Sequence, residues 1–237
     1  MSILERFSLE GKVALVTGAA GRHAPAIIQA LGEAGATVYG ADINFEAMRL
    51  VVDRFRKNGL KVSPVQVDQA DEVSILLLRD TVLERSNRID VLVNAAVGRP
   101  MKSWQDDPAK FTESMQINGT GLFMMTRTFG DVMERQGRGS IINVSSIHGA
   151  VGPDSSLYEG LDRHGFIPDY FFHKAGMINL TRFVASYYGP KNVRCNCIVM
   201  GAFRPILQPK SSSNAMARGP FWGEWPIRLT SKAQLCF

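Results

Sequence analysis

Four short runs, KVALVTG (12–18), ATVYGAD (36–42), KVSPVQVD (61–68) and IDVLVNAA (89–96), are separated by segments of helical periodicity and never by a hairpin turn. The intervening segments PAIIQALGEAG (25–35), NFEAMRLVVDRFRKNG (44–59) and VSILLLRDTVLERSN (73–87) repeat apolar residues every three or four positions. A strand that reaches its neighbour through a helix runs parallel to it, and runs apolar on both faces need cover on both faces. The alternation therefore predicts an α/β chain with a parallel sheet between two layers of helix. It continues through a long helix around 111–137, a strand SIINVSS (140–146), a helix carrying Tyr170 and a strand near VRCNCIV (193–199).

At 237 residues, 45% of them hydrophobic, the chain is long enough for one large core, and a single domain over 1–237 is expected. The opening MSILERFSLEGK interleaves charges with apolar residues and offers no run for a signal-peptide core or a membrane span, so a cytoplasmic protein with no membrane partner is expected. The formal charge of +5 comes from scattered Lys and Arg, with no dense basic run interleaved with aromatics, which argues against a nucleic-acid partner. Cys195, Cys197 and Cys236 suit neither a disulfide framework nor zinc spacing; they read as free thiols, and no metal is expected.

The first strand-to-helix junction reads TGAAGRHAPA, with Gly18 and Gly21 just past the strand. Small residues there let the backbone turn tightly and approach a pyrophosphate, which the N–H groups and positive end of the next helix stabilise. Asp42 closes the second strand, where a carboxylate can accept hydrogen bonds from a ribose hydroxyl pair. The same carboxylate repels a 2′-phosphate, so NAD is favoured over NADP, while Arg22 in the glycine loop can pair with a phosphate or offset Asp42. Asp68, after the third strand, can meet an adenine amino group or cap a helix. Farther on, DYFFHKAG (169–176) sets Tyr170 and Lys174 four positions apart, side by side on one helical face.

These residues together resemble the short-chain dehydrogenase/reductase family. The resemblance rests on TGAAG (17–21), Asp42, Asp68, VNAAVG (93–98), Asn118, INVSS (142–146) and the Tyr170/Lys174 pair, in matching order and spacing from about residue 8 to 201. It implies a Rossmann-type doubly wound sheet and a hydride transfer between a nicotinamide and a small-molecule alcohol or carbonyl. Tyr170 would be the general acid/base, and Lys174 would favour its ionised phenolate and hold the nicotinamide ribose. Ser146 would hydrogen-bond the substrate oxygen, with Ser145 as the fallback because strand alternation points only one of them into the site. Asn118 would hold a proton-relaying water, or else kink its helix beside Gly119. Asn94 would brace the central strand beside the cofactor. A homo-oligomer built on the Asn118 and Tyr170 helices is implied, with His173 structural or at that contact.

Several features depart from the family pattern. Ala24 replaces the last loop glycine, Ala95 and Val97 replace an Asn and a Gly after the fourth strand, and Met200 replaces a Pro before Gly201. Ser146 and Tyr170 lie 24 positions apart, about twice the family spacing, and the extra segment (about 149–168) is rich in turn formers. It is expected to loop over the active-site mouth, with Asp154, Tyr158, Glu159 and Arg163 available to read a polyhydroxylated substrate. Its GPDxxxYEG form resembles family members of sugar and surface-glycan metabolism, which makes a sugar-derived substrate the expectation. A substrate loop is expected at about 202–225, and the sheet is expected to lack the family's last helix and seventh strand. That shortened ending supports a second reading, a catalytically impaired relative acting as a nucleotide-binding or regulatory module.

Overall fold

The computed structural model describes residue 3, residues 5–153 and residues 167–201. Six strands, β1 (Val13–Thr17), β2 (Thr37–Asp42), β3 (Val62–Gln66), β4 (Val91–Asn94), β5 (Gly139–Ser146) and β6 (Val193–Met200), form one sheet in the order β3-β2-β1-β4-β5-β6. Every pairing is parallel. Helices α1 (Ala24–Glu33), α2 (Phe45–Lys57), α3 (Glu72–Ser86), α4 (Pro108–Met115), α5 (Gly121–Arg135) and α6 (Pro168–Tyr188) make the crossovers. This is the Rossmann-type doubly wound arrangement expected from the alternation. The seventh strand, the last helix and the loop at 202–225 fall outside the described residues.

The strand order reverses at β1, whose neighbours are β2 on one side and β4 on the other. At such a switch point the connections leave in opposite directions and open a crevice beyond the carboxyl ends of the strands. All five residues of β1 are buried, and the alternation of side chains divides them between two cores. Val13 and Leu15 face a cluster with Ile75, Leu78, Met125, Phe129 and Ile141, whereas Ala14 and Val16 face one with Ile28, Met48, Val52 and Phe55. Pro64 is tolerated because β3 is an edge strand, where a missing N–H costs no central ladder bond.

Local chemistry sets the helix starts. Asn44 accepts the Ala47 N–H, Asp71 those of Val73 and Ser74, and Asp107 that of Ala109. The helix after β1 is the exception: α1 starts behind His23 with no side-chain cap, so its first N–H groups face the crevice without a protein acceptor of that kind. The long helix expected around 111–137 is interrupted by one π turn, Gln116–Thr120, which contains Asn118. The widened turn lets the Asn118 side chain leave the helix and bond a neighbouring loop.

Candidate active site

The glycine loop is shaped by close approach. Gly18 has φ +67°, and a Cβ there would lie 2.7 Å from the Cα of Ala96, in the segment leaving β4. At Gly21 a Cβ would lie 2.9 Å from the carbonyl oxygen of Gly18, which accepts the Gly21 N–H at 2.8 Å. Thr17 ties the two strand ends together, its Oγ1 accepting from Ala95 and Ala96 N–H at 3.1 and 3.2 Å. A methyl on either glycine would fill the turn or push the β4 segment away.

Asp42 stands beside this loop and supports it. One carboxylate oxygen accepts the Ala20 N–H and the other the Asn44 N–H, both at 2.9 Å. Each oxygen keeps a further lone pair, so the carboxylate fixes the loop and still has capacity for a hydroxyl. Arg22 is exposed at the loop's outer side. Asp68 accepts the Ala70 N–H at 2.9 Å in a local turn, and the N-cap of α3 is Asp71, not Asp68.

Behind the loop, β4 is braced by a buried amide ladder. Asn94 Nδ2 donates to Thr126 Oγ1 at 3.2 Å and to Asn143 Oδ1 at 2.9 Å, and Asn143 Nδ2 donates to Thr181 Oγ1 at 2.9 Å. Asn143 carries no signal of its own in the sequence; only the β4/β5 register, which pairs it with Asn94, reveals the partnership. Asn118 grips the loop after β4 from the opposite side. It accepts the Gly98 N–H and donates back to the Gly98 carbonyl, both at 2.9 Å, and also donates to Ser114. Ser114 in turn donates to buried Asp169 at 2.5 Å, so Asn118 is tied to the residue before Tyr170.

The two serines at the end of β5 diverge as strand alternation requires. Ser145 Oγ donates to the Lys174 carbonyl at 2.8 Å and is thereby engaged with α6. Ser146 Oγ accepts the His148 N–H at 3.2 Å and keeps its own proton for another acceptor. Lys174 is buried, its Nζ donating to the Val144 carbonyl at 2.7 Å and lying 5.7 Å from the Tyr170 ring centroid. Burial pushes its pKa down to about 8, opposed by the Cys197 thiol and reinforced by the Arg99 guanidinium. The bend after β5 packs so tightly on α6 that a Cβ on Gly149 would meet the Lys174 carbonyl carbon at 2.5 Å.

Tyr170 is half-buried, and its ring is surrounded by nitrogen groups. The Arg99 guanidinium lies 4.9 Å from the ring centroid, His173 meets it edge-on at 5.3 Å, and His148 does so at 6.0 Å. His173 is buried with neither ring nitrogen hydrogen-bonded, and burial, followed by Lys174 and Arg99, lowers its pKa to about 3. At 4% exposure it is buried within the chain. Arg99 and His148 carry no recognisable spacing in the sequence; their closeness to Tyr170 comes only from the meeting of the loops after β4 and β5. His23, at the head of α1, is influenced by burial first, then by Arg22, Lys174 and Arg99, which links the glycine loop electrostatically to the α6 lysine.

Thr17, Asp42, Asn94 and Ser146 end their strands, Asn118 grips the loop after β4, and Tyr170 and Lys174 stand together on α6; the short chain dehydrogenase family matches residues 12–215. The chain belongs to the short-chain dehydrogenase family. Among relatives of this short-chain dehydrogenase, a 3-oxoacyl-acyl-carrier-protein reductase of Thermotoga maritima is 30% identical, covering 90% of this chain and 84% of that protein. A D-threitol dehydrogenase of Mycolicibacterium smegmatis is 33% identical, covering 81% and 70%. Among solved structures, an NAD+-bound xylitol dehydrogenase superposes with a TM-score of 0.74 at 28% identity, covering 83% of this chain and 72% of that one. A Burkholderia cenocepacia gluconate 5-dehydrogenase in complex with NADP and tartrate shares the fold with a TM-score of 0.75 at 24% identity, covering 93% and 81%.

The residues present fit a nicotinamide dinucleotide: Gly18 and Gly21 leave a cradle that a Cβ would fill, α1 has no side-chain cap, and Asp42 offers carboxylate lone pairs at the end of β2. Among the described residues no group of His, Cys, Asp or Glu could hold a metal ion, and no helix is long and apolar enough to cross a membrane. Of the segment at 149–168, residues 149–153 and 167–168 are described, and they line a cavity of about 590 Å³ with Trp104, Phe171, Phe172 and Ala175. Asp154, Tyr158, Glu159 and Arg163 lie outside the described residues.

Proposed function

We propose that this short-chain dehydrogenase interconverts a secondary alcohol and its carbonyl, with NAD(H) favoured as cofactor and Tyr170 as general acid/base. The observation that supports the reading is Lys174 Nζ 5.7 Å from the Tyr170 ring on α6, with Ser146 at the end of β5 and the glycine loop braced by Asp42. Bound nicotinamide would supply or accept the hydride. Gly18, Gly21 and the head of α1 would hold its pyrophosphate, Arg22 would add a cation there, and Asp42 would accept from the adenosine ribose hydroxyls. Asp68 would flank the adenine, and Asn94 would keep β4 in register beside the nicotinamide.

Tyr170 Oη would give its proton to the substrate oxygen in reduction and take it back in oxidation. Ser146 Oγ, with its proton uncommitted, would donate to the same oxygen as charge develops. Lys174 would stabilise the phenolate electrostatically, and its depressed pKa suits a group that passes a proton near neutrality. Asn118 would hold the loop at Gly98 in place and orient a water toward Lys174. The decisive test is Tyr170→Phe: turnover falls to background while NADH still raises the melting temperature. Unchanged turnover overturns the assignment of Tyr170.

A sugar-derived substrate is the preferred class, supported by the D-threitol and xylitol dehydrogenases among the similar proteins and by the turn-rich segment at 149–168. We read 1–237 as one domain. Free thiols at Cys195 and Cys197 suit a reducing cytoplasm. Phe172, Phe183 and Tyr187 are 63%, 64% and 54% exposed on α6, an apolar face suited to a second subunit; sedimentation as a monomer at micromolar concentration rejects that dimer. The second reading, a nucleotide-binding module without turnover, is favoured by the Lys174 ammonium, which is engaged with the Val144 carbonyl. It requires NADH binding that Tyr170→Phe leaves intact and no turnover in the parent chain.

A further inference from the structure

Arg99 leaves the β4 loop immediately after Gly98, the residue gripped by Asn118, and its guanidinium faces the Tyr170 ring at 4.9 Å. Its side chain is exposed, and its field reaches His23 before α1, His148 after β5, and His173 and Lys174 on α6. Lys102 follows three residues later and donates Nζ to the Arg99 carbonyl at 2.7 Å. The two cations and the buried side chains of Met101 and Ile167 line a cavity of about 190 Å³. Arg99 forms no ion pair among the described residues, and the nearby Asp106 carboxylate is engaged with the backbone N–H groups of Lys102 and Ser103.

Hydride transfer to a neutral carbonyl calls for one cation near the tyrosine, and Lys174 already fills that place. A guanidinium unpaired among the described residues over the same ring, exposed on one side and backed by the buried Met101 and Ile167 on the other, is built to receive an anion, because its planar fork matches carboxylate and phosphate oxygens. We propose that the substrate carries an anionic substituent, a carboxylate or a phosphate, which Arg99 binds in the cavity beside Tyr170 with Lys102 as the second cation. The anion seat and the reacting hydroxyl then belong to one small molecule, so Arg99 selects the substrate and sets which of its carbons faces Tyr170. This inference rests on the oxidoreductase reading of the site.

The test is calorimetric titration of the NADH-saturated chain with three matched probes, D-glycerate, glycerol 3-phosphate and glycerol. Saturation with NADH keeps the phosphate probe off the glycine loop. At least one anion is expected to bind tenfold or more tightly than glycerol, and the tighter anion tells carboxylate from phosphate. Arg99→Met should bring the anions down to the level of glycerol without changing NADH affinity, and Arg99→Lys, which keeps charge but loses the fork, should fall between. Equal binding of glycerol, no anion binding at any accessible concentration, or an anion preference that survives in Arg99→Met overturns the proposal while leaving the oxidoreductase reading intact. Failure of the parent chain to bind NADH rejects that reading, and this one with it.

Discussion

Lys174→Met is expected to remove the pH dependence that a buried ammonium imposes. The native pKa is about 8 because burial disfavours the charged form, whereas an exposed lysine in the unfolded chain titrates near 10.4. Below about pH 8 both states carry the proton, and the folded state bears the full cost of the buried charge. Between about pH 8 and 10.4 the unfolded chain binds more protons than the folded one, so stability from this group rises with pH. Integrated to pH 10 the gain is roughly 2–3 kcal/mol, at about 1.4 kcal/mol per pKa unit. For a chain of this size that corresponds to roughly 5–10 °C in melting temperature. Methionine fills similar space without a charge, so the variant lacks this component. Urea denaturation of both proteins from pH 6.5 to 10 reads it, because titrations of groups remote from Lys174 cancel in the difference. Relative to the parent, the variant should be most stable at pH 6.5 and lose roughly 2–3 kcal/mol of that advantage by pH 10. A difference flat with pH refutes the argument that burial depresses Lys174.

Gly18→Ala should abolish NADH binding with a smaller effect on folding, because a Cβ at φ +67° would strike the Ala96 backbone at 2.7 Å and shift the segment that closes the loop; calorimetric titration with NADH checks it, and parent-like affinity contradicts the close-approach argument. Asp90 is buried at the foot of β4, where it accepts the Val13 N–H at 2.9 Å and pairs with Arg88. Burial alone would raise its pKa, but hydrogen bonds from Arg88 and Val13 outweigh it and hold the carboxyl below its usual value. Its contribution is therefore present at neutral pH and is lost as pH falls through that depressed value. Asp90→Asn should cost about 2 kcal/mol in urea denaturation at pH 7 and much less near pH 3; an equal cost at both rejects the charge as the cause.

Much of the architecture is legible in the order of the residues because it follows from local rules. Strands apolar on both faces, joined by amphipathic helices, admit only a covered parallel sheet, and Gly18, Gly21 and Asp42 fall at strand ends that the periodicity alone locates. The Tyr170/Lys174 spacing is equally local, since four residues bring two side chains together on any helix. The π turn inside the helix containing Asn118 is invisible to periodicity because a bond to Gly98, twenty residues away in the chain, stabilises it. Asp68 reads as a possible cap in the sequence, and the backbone geometry at the start of α3 gives that place to Asp71.

What the sequence by itself determined is the alternation of elements and the placing of glycine loop, acidic strand end and Tyr/Lys pair along it, since each depends on residues within one or two turns. Only the tertiary structure decided which groups surround Tyr170. Arg99 and His148 reach its ring from two other segments, Asn143 meets Asn94 across a strand register, and Lys174 loses part of its proton affinity through burial. Contacts between distant segments and the desolvation of a charge depend on the packing of the whole sheet with its helices, and no local pattern of residues encodes them.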